Sequence, residues 1–434
     1  MNNKKKFILI IILIIVFTFN IVGCRNNDKI TLIIKTPTLT FKGSALNDVD
    51  SVYDFFNKVT DSFINEYSNE YNLDIKISQY ANELEYNAID SNYDTNNACD
   101  ILFNDYFTMK SHIYSGRVIS LDDIISNELR NDIDDRFWNY SKINNKTYMM
   151  PYLYRQNVLM YNTIIFEEAG LSKYINKNSI STWSLDEWDY ILKTLRSNMN
   201  DLSYPMMMYS SSNQGDTHIM SLIRSRGAEF FDLNDRINIE SFEGIEALKW
   251  IKECIDNKIM PEYADEIDIL DNYSLFKNNQ LGIFMCNASS EKEFSNYGLV
   301  NFPSLNSGYK TEFLTGFMIF DNNDERKLEL AKKYLKYIYE SNYLDYSTSA
   351  FPVSNKIKNK YNDFLMQYQK YLDNDAEDID FYGNVPNWLD IRNIFYKYMQ
   401  KLIRGEMTPD EMAKSFDKEA NSLIDSKSNY VLHK

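Results

Sequence analysis

Apolar positions along this chain follow two periods, and the way those periods alternate predicts an α/β protein. Residues 29–36, KITLIIKT, form a short apolar run that reads as an opening strand. In residues 48–67, Val52, Phe55, Phe56, Val59, Phe63, Ile64 and Tyr67 recur three or four apart, the spacing of one helix face. Leu73, Ile75 and Ile77 alternate with polar residues as a second strand, and CDILF at 99–103 reads as a buried third. Strand–helix–strand order implies a parallel sheet with right-handed crossovers. Ligands of such sheets sit beyond the carboxyl ends of the strands, so the loop of Asn104, Asp105, Tyr106 and Phe107 is a candidate site.

The chain is organised around residues 146–170, KTYMMPYLYRQNVLMYNTIIFEEAG. Pro151 stands among Tyr148, Tyr152 and Tyr154, a nearly unbroken apolar run follows at 158–161, and Gly170 marks a helix stop. Such a strand, kinked by proline and carrying the single charge Arg155, suits a crossing between two lobes. A return crossing is expected at 297–303 and a third at 350–353, with a strand at 313–320 whose Gly316 permits close approach. TWSLDEW at 182–188 holds a capping box, Ser184 with Glu187, which opens a helix through Ile191, Leu192 and Leu195. Further amphipathic helices are expected at 243–258, 325–340 and 387–404, the last stopped at Gly405. Thr408, Pro409 and Glu411 open a final helix.

With 434 residues the chain exceeds one hydrophobic core, so two lobes are expected. Apolar content of 44% excludes a disordered chain. The net charge is −16, or −19 once the three lysines at positions 4–6 are removed, which argues against nucleic acid and against lying on anionic lipid. Of the four cysteines, Cys99, Cys254 and Cys286 read as buried thiols, with room for at most one disulfide; no CxxC pair exists. His112, His218 and His433 show no zinc spacing, so neither a metal nor a cofactor is implied. No G-x-S-x-G, P-loop or G-x-G-x-x-G occurs, and carboxylate pairs such as Asp122 with Asp123 are ordinary on solvated faces of so acidic a chain. The chain reads as built to hold a molecule, not to transform it.

Three lysines precede the apolar segment 7–22, which is too short to span a bilayer and ends in IVGC at 21–24. This resembles the lipobox of bacterial lipoproteins. The resemblance implies a signal peptide over 1–23, a diacylglycerol on Cys24, a tether over 24–28 and a domain on the outer face of the membrane.

The order of K-x-Y-x-x-P, L-x-Y-N and F-x-x-A-G-L through 146–171 resembles the family 1 extracellular solute-binding proteins, which capture sugars for ABC importers. The T-W-S unit at 182–184, the unit FKNNQLGIFM at 276–285 and the pairing of Trp388 with the 405–411 segment strengthen the likeness. Ala98 stands where the family usually has proline, Asn279 where it has glycine, and CNASS follows the 281–285 strand where relatives often place tryptophan.

The resemblance implies a type II periplasmic-binding-protein-like fold of two α/β lobes joined by three crossings, with a hinged cleft. Lobe 1 would comprise 29–153 plus 303–350, and lobe 2 154–302 plus 351–430. Read onto this chain, it implies ligand contacts from Asn104, Asp105, Tyr106, Tyr152, Arg155 and Tyr209. It implies contacts also from Gln214, Asn287, Thr315, Gly316, Trp388 and Arg392. Aromatic faces cover the C–H face of a sugar ring while fixed polar groups meet its hydroxyls. The expected function is capture of a mono- or oligosaccharide by a monomeric binding protein that delivers it to the transmembrane subunits of a permease. Two alternatives stand beside it: an anionic sugar derivative or glycerol phosphate ester as ligand, and a secreted carbohydrate-active enzyme. If Cys24 is the anchor, Cys24→Ala leaves an unlipidated precursor, and radiolabelled palmitate incorporated into that variant at the wild-type level refutes it.

Overall fold

The computed structural model describes residues 28–81, 84–305, 308–379, 385 and 388–427. Cys24 and the segment before it lie outside the described residues. Strand β1 (Ile30–Pro37) is buried from its third residue onward. Helix α1 (Val52–Tyr67) starts at a capping box in which the Ser51 hydroxyl accepts from the Asp54 N–H, and it buries Val52, Phe55, Phe56, Val59 and Phe63. It leads to β2 (Leu73–Tyr80) and on to β3 (Ile101–Asp105), and both lie parallel to β1. Helix α2 (Tyr106–Tyr114) begins where β3 ends, capped by Asp105.

Next comes β4 (Met150–Asn162), 13 residues long. The chain then builds α3 (Leu185–Asn198), α4 (Asp216–Ser225), α5 (Phe242–Asp256), α6 (Ile269–Lys277) and the strands β5 (Leu281–Asn287) and β6 (Tyr297–Val300). The Ser184–Glu187 box caps α3 as the sequence predicts. Strand β7 (Tyr309–Ile319) returns along β4, followed by α7 (Glu325–Glu340), α8 (Trp388–Ile403) and α9 (Pro409–Lys427).

Among the described residues, all but two short strands belong to one 11-stranded sheet. Its first half is parallel, β2-β1-β3; β7 then pairs antiparallel with β3 through Thr315–Asp105 to Ile319–Ile101. β7 also runs antiparallel to β4, from Thr311 opposite Asn157 to Phe317 opposite Met150. The far end of β4 pairs with β5 and β6. Two strands are therefore common to both halves of the sheet, and a third short segment, Phe351–Pro352, joins β4 beside Leu153 and Tyr154.

The sequence placed the return crossing at 297–303. In the structure Tyr297–Val300 stays at the far end of β4, opposite Leu159–Asn162, and the 11-residue β7 makes the return. Length decides this: a four-residue strand cannot run along both halves.

Two cores form. One lies between the sheet and helices α1 and α7 and holds Leu32, Ile34, Phe55, Phe56, Phe103, Phe317 and Tyr334. The second runs from the opposite face of the first half through the far half. Cys99, Cys254 and Cys286 are free and buried, as the sequence suggested.

Between Thr315 and Gly316 the β4–β7 register slips, so Gly316 faces Pro151 while Thr315 faces Leu153. A Cβ on Gly316 would stand 2.2 Å from the Met150 carbonyl oxygen, a backbone atom with nowhere to go. Gly316→Ala is expected to lower stability by about 1–3 kcal/mol through overpacking. An unchanged urea midpoint would show that the two strands can separate there.

Candidate ligand cavity

A cavity of about 240 Å³ lies where β3 ends, between the two halves of the sheet. On the near side the Asn104 amide nitrogen donates to the Tyr80 hydroxyl (3.1 Å), Glu85 Oε1 (2.9 Å) and Thr108 Oγ1 (3.1 Å). Glu85 Oε1 also meets His112 Nε2 at 2.8 Å. Burial opposes charge on this imidazole, but Glu85 and Asp90 outweigh it and hold the His112 pKa above its usual value. Asp105 Oδ1 accepts from the Phe107 N–H (3.1 Å) and so caps α2. Burial first, and then the Glu85 charge, push the Asp105 carboxyl up to about 7, while Arg392 and Arg155 pull it down.

The floor comes from β4 and β7. A two-residue period sorts their side chains, so Arg155, Asn157, Phe313 and Thr315 line the cavity together. Arg155 donates Nη1 to Thr315 Oγ1 at 3.3 Å, its one hydrogen bond among the described residues, and no described carboxylate stands within ion-pair reach. Burial lowers its pKa to about 10, opposed by Asp105, so the guanidinium is still charged at neutral pH.

From the far half come Tyr209, Gln214, Thr217, Tyr273 on α6, and Cys286 and Asn287 at the end of β5. The Ser290 N–H donates to Asn287 Oδ1 (3.1 Å), orienting that amide. Burial raises the Cys286 thiol to about 12, so it stays protonated. Arg392 on α8 donates Nε to Asp216 Oδ2 (2.5 Å) and Nη2 to the Asn213 carbonyl (3.3 Å). Its guanidinium lies 4.2 Å from the centroid of the Phe107 ring, which belongs to α2 of the near half.

Eight of the twelve residues expected from the sequence line this cavity: Asn104, Asp105, Arg155, Tyr209, Gln214, Asn287, Thr315 and Arg392. Four do not. Tyr106 turns away from it and stacks on Tyr140 at 5.1 Å. Tyr152, three residues from Arg155 and so on the other strand face, packs among Phe55 (5.8 Å), Phe103 (5.7 Å) and Phe317 (5.5 Å). Its hydroxyl donates to the Tyr343 carbonyl at 2.6 Å. Gly316 faces the Met150 backbone. Trp388 is buried behind the wall, its ring edge-on to Phe107 at 5.5 Å and near Phe231 at 5.6 Å.

Glu85, Asn157, Thr217, Tyr273 and Phe313 line the cavity without having been named as contacts from the sequence, and Phe107 of the candidate 104–107 loop lines it too. Asn157 and Phe313 follow from strand alternation once Arg155 and Thr315 are placed. Glu85 carries no local signal, because only the folding of the chain beneath β3 brings it there. Among the described residues no cluster of His, Cys, Asp and Glu is suited to a metal ion, and no helix is long and apolar enough to cross a membrane.

A family profile described as bacterial extracellular solute-binding protein matches residues 57–342. A Brucella abortus protein named only as a binding protein is 23% identical over 334 residues, covering 72% of this chain and 76% of its own length. An ABC substrate-binding protein from Listeria monocytogenes, solved with cycloalternan, superposes with a TM-score of 0.68 at 14% identity, covering 91% of this chain and 99% of that one. A Thermotoga lettingae solute-binding protein bound to α-D-tagatose gives 0.67 at 17% identity over 92% and 100% of the two chains. One from Agrobacterium radiobacter in complex with ribitol gives 0.66 at 15% identity over 92% and 99%. The two-lobed binding-protein architecture is thus shared across the whole described molecule, and with the profile match spanning most of it, this chain belongs to the bacterial extracellular solute-binding protein family.

Proposed function

We propose that this protein is the extracytoplasmic binding component of an ABC importer, capturing a mono- or oligosaccharide between its lobes and delivering it to the permease. The observation that carries this reading is Arg155, a cation in a polar interlobe cavity with one hydrogen bond among the described residues and a fork of further donors to offer. Beside it Asp105, Asn157, Asn287 and Gln214 supply the mixed donors and acceptors that hydroxyl groups require, and Phe107, Phe313 and Tyr273 supply apolar surface for C–H faces. The lobe limits at 153/154 and 350/351, a third limit within β7, and the lipid on Cys24 belong to the same proposal, with the protein held as a monomer at the outer face of the membrane.

Charge balance favours a neutral ligand over an anionic one. Asp216 neutralises Arg392 and Glu85 accompanies His112, which leaves Arg155 facing Asp105, whose carboxylate form balances its charge. A sugar acid or phosphate ester would want both guanidinium groups free. The family consists of binding proteins, and both carboxylates nearest the cavity are already engaged, Glu85 by Asn104 and His112 and Asp105 as a helix cap.

The two arginines separate binding from folding. Arg155→Ala is expected to weaken ligand binding by about 1.5–3 kcal/mol, the worth of a charge-assisted hydrogen bond, with the melting temperature kept. Arg392→Ala instead leaves Asp216 buried and unpaired and is expected to cost about 3–5 kcal/mol of stability. Calorimetric titration and thermal melts of both variants check this; unchanged affinity in Arg155→Ala removes it from the site.

Asp105 adds a pH dependence. A raised carboxyl pKa means that its contribution to the stability of the empty protein is present in acid and is lost as pH rises through about 7. Ligand hydroxyls donating to Asp105 favour the carboxylate, so affinity should rise with pH across that same value and binding should release protons. Asp105→Asn should flatten the profile. Affinity that falls with rising pH would contradict Asp105 as an acceptor.

A further inference from the structure

Resting on the carbohydrate reading, we propose that Glu85 is a ligand-binding residue whose Oε2 accepts a hydrogen bond from one hydroxyl of the sugar, beside the hydroxyl that Asp105 takes. Glu85 opens a short helical turn (Glu85–Ala88), is 3% exposed, and yet lines the cavity. Its Oε1 is used twice, accepting from the Asn104 amide (2.9 Å) and meeting His112 Nε2 (2.8 Å). Among the described residues nothing donates to Oε2. A carboxylate offers acceptor positions on both oxygens, so half the capacity of this buried group is unused, and the cavity is where a donor can reach it. A buried acceptor left bare is costly, which gives the ligand something to relieve.

The aim of Glu85 is fixed from behind. Asn104 Oδ1 accepts from the Asp105 N–H (2.8 Å), which turns the amide nitrogen toward Glu85, the Tyr80 hydroxyl and Thr108 Oγ1. His112 on α2 is wholly buried, and its Nδ1 stands 3.9 Å from Asp90 Oδ1. His112 and Asp90 lie outside the cavity lining, so the countercharge of Glu85 is supplied by the protein and the ligand need bring only a neutral donor. Asp105 completes the wall: its Oδ1 accepts from the Phe107 N–H, and nothing among the described residues donates to its Oδ2. The Glu85 charge acts on Asp105, so the two carboxyl groups share this corner of the cavity. Two hydroxyls of one sugar satisfy both without adding charge, whereas Arg155 and Arg392, which line the same space, disfavour an ammonium there.

The test uses the full chain in detergent, unfolded and refolded to remove any carried ligand. Thermal melts follow a dilution series of an acid hydrolysate of mixed neutral polysaccharides, so that the dilution giving half the maximal rise reports relative affinity. Glu85→Gln keeps the shape of the side chain and puts an N–H₂ donor where Oε2 stood. Glu85→Gln with His112→Gln also removes the imidazole that Glu85 accompanies. Both variants are expected to need at least about tenfold more hydrolysate than wild type, the loss of one charge-assisted hydrogen bond. A wild-type midpoint in Glu85→Gln overturns the proposal. So does weak binding in the single variant that the double variant restores, because Glu85 then serves only as the partner of His112. If the single variant does not fold, the double variant decides. A rise with a chitosan hydrolysate and none with the neutral one assigns this wall to an ammonium and overturns the hydroxyl donor. No rise of the wild type with either hydrolysate overturns the carbohydrate reading itself.

Discussion

The antiparallel ladder between β4 and β7 is shared by both halves of the sheet, so whatever these strands hold is positioned relative to both halves at once. Alternation divides the ladder into two faces. One presents Arg155, Asn157, Phe313 and Thr315 to the cavity; the other carries Gln156 and Glu312. Glu312 is only 4% exposed and is satisfied there by Gln156 Nε2 (2.9 Å) and Arg136 Nη1 (2.9 Å). The register slip at Thr315 and Gly316 skips Tyr152, and such an irregularity increases local twist. Tyr152 lies in the aromatic core while Arg155, three residues on and on the opposite strand face, reaches the cavity. One ladder thus serves the packing of one lobe through one face and lines the cavity through the other.

Burying ionised groups is tolerated only where partners replace water. Among the described residues, those partners are in place around the cavity except at Arg155, which has a single hydrogen bond and Asp105 across the space. Arg392 has Asp216, His112 has Glu85, and Asp105 has the first turn of α2. Guanidinium is the cation best able to stand in such a place, because its charge is delocalised and weakly hydrated and its donors lie in a fixed plane. The incompletely satisfied group is therefore a preorganised donor. Its desolvation is already met by folding, so a ligand that reaches it gains hydrogen bonds without having to strip them of bulk water.

Much of the fold is readable in the chain. Period-three-to-four runs locate α1, α5, α7 and α8, capping signals locate the starts of α3 and α9, and the short alternating runs locate β1, β2 and β3. The polar site residues follow from topology, since Asn104 and Asp105 stand where a parallel strand ends and Arg155 and Thr315 sit on crossing strands. The aromatic assignments fare differently. Tyr106, Tyr152 and Trp388 were candidates because rings suit sugar faces, yet a ring fills a core equally well, and in a chain with 15% aromatic residues local pattern cannot separate the two uses. Position within an element decides it, and for Tyr152 the deciding feature is strand alternation, which sets it on the face opposite Arg155. Glu85 is invisible for a related reason: its place depends on tertiary folding of a stretch with no regular period.

Enclosure and electrostatics in this cavity are one property seen twice. Removing water from the space between the lobes raises Asp105 to about 7 and lowers Arg155 to about 10, opposite shifts with the same cause. Each group is driven toward its neutral form, and each is restrained by the other. A ligand of net charge would side with one member against the other and add its own desolvation. On the proposed reading a polyol would do neither: its hydroxyls would donate to the carboxylate and accept from the guanidinium, while its carbon skeleton would meet Phe107, Phe313 and Tyr273, which line the space. Under the function proposed above, a ligand with many hydroxyls and no net charge would substitute for water at both poles of the site.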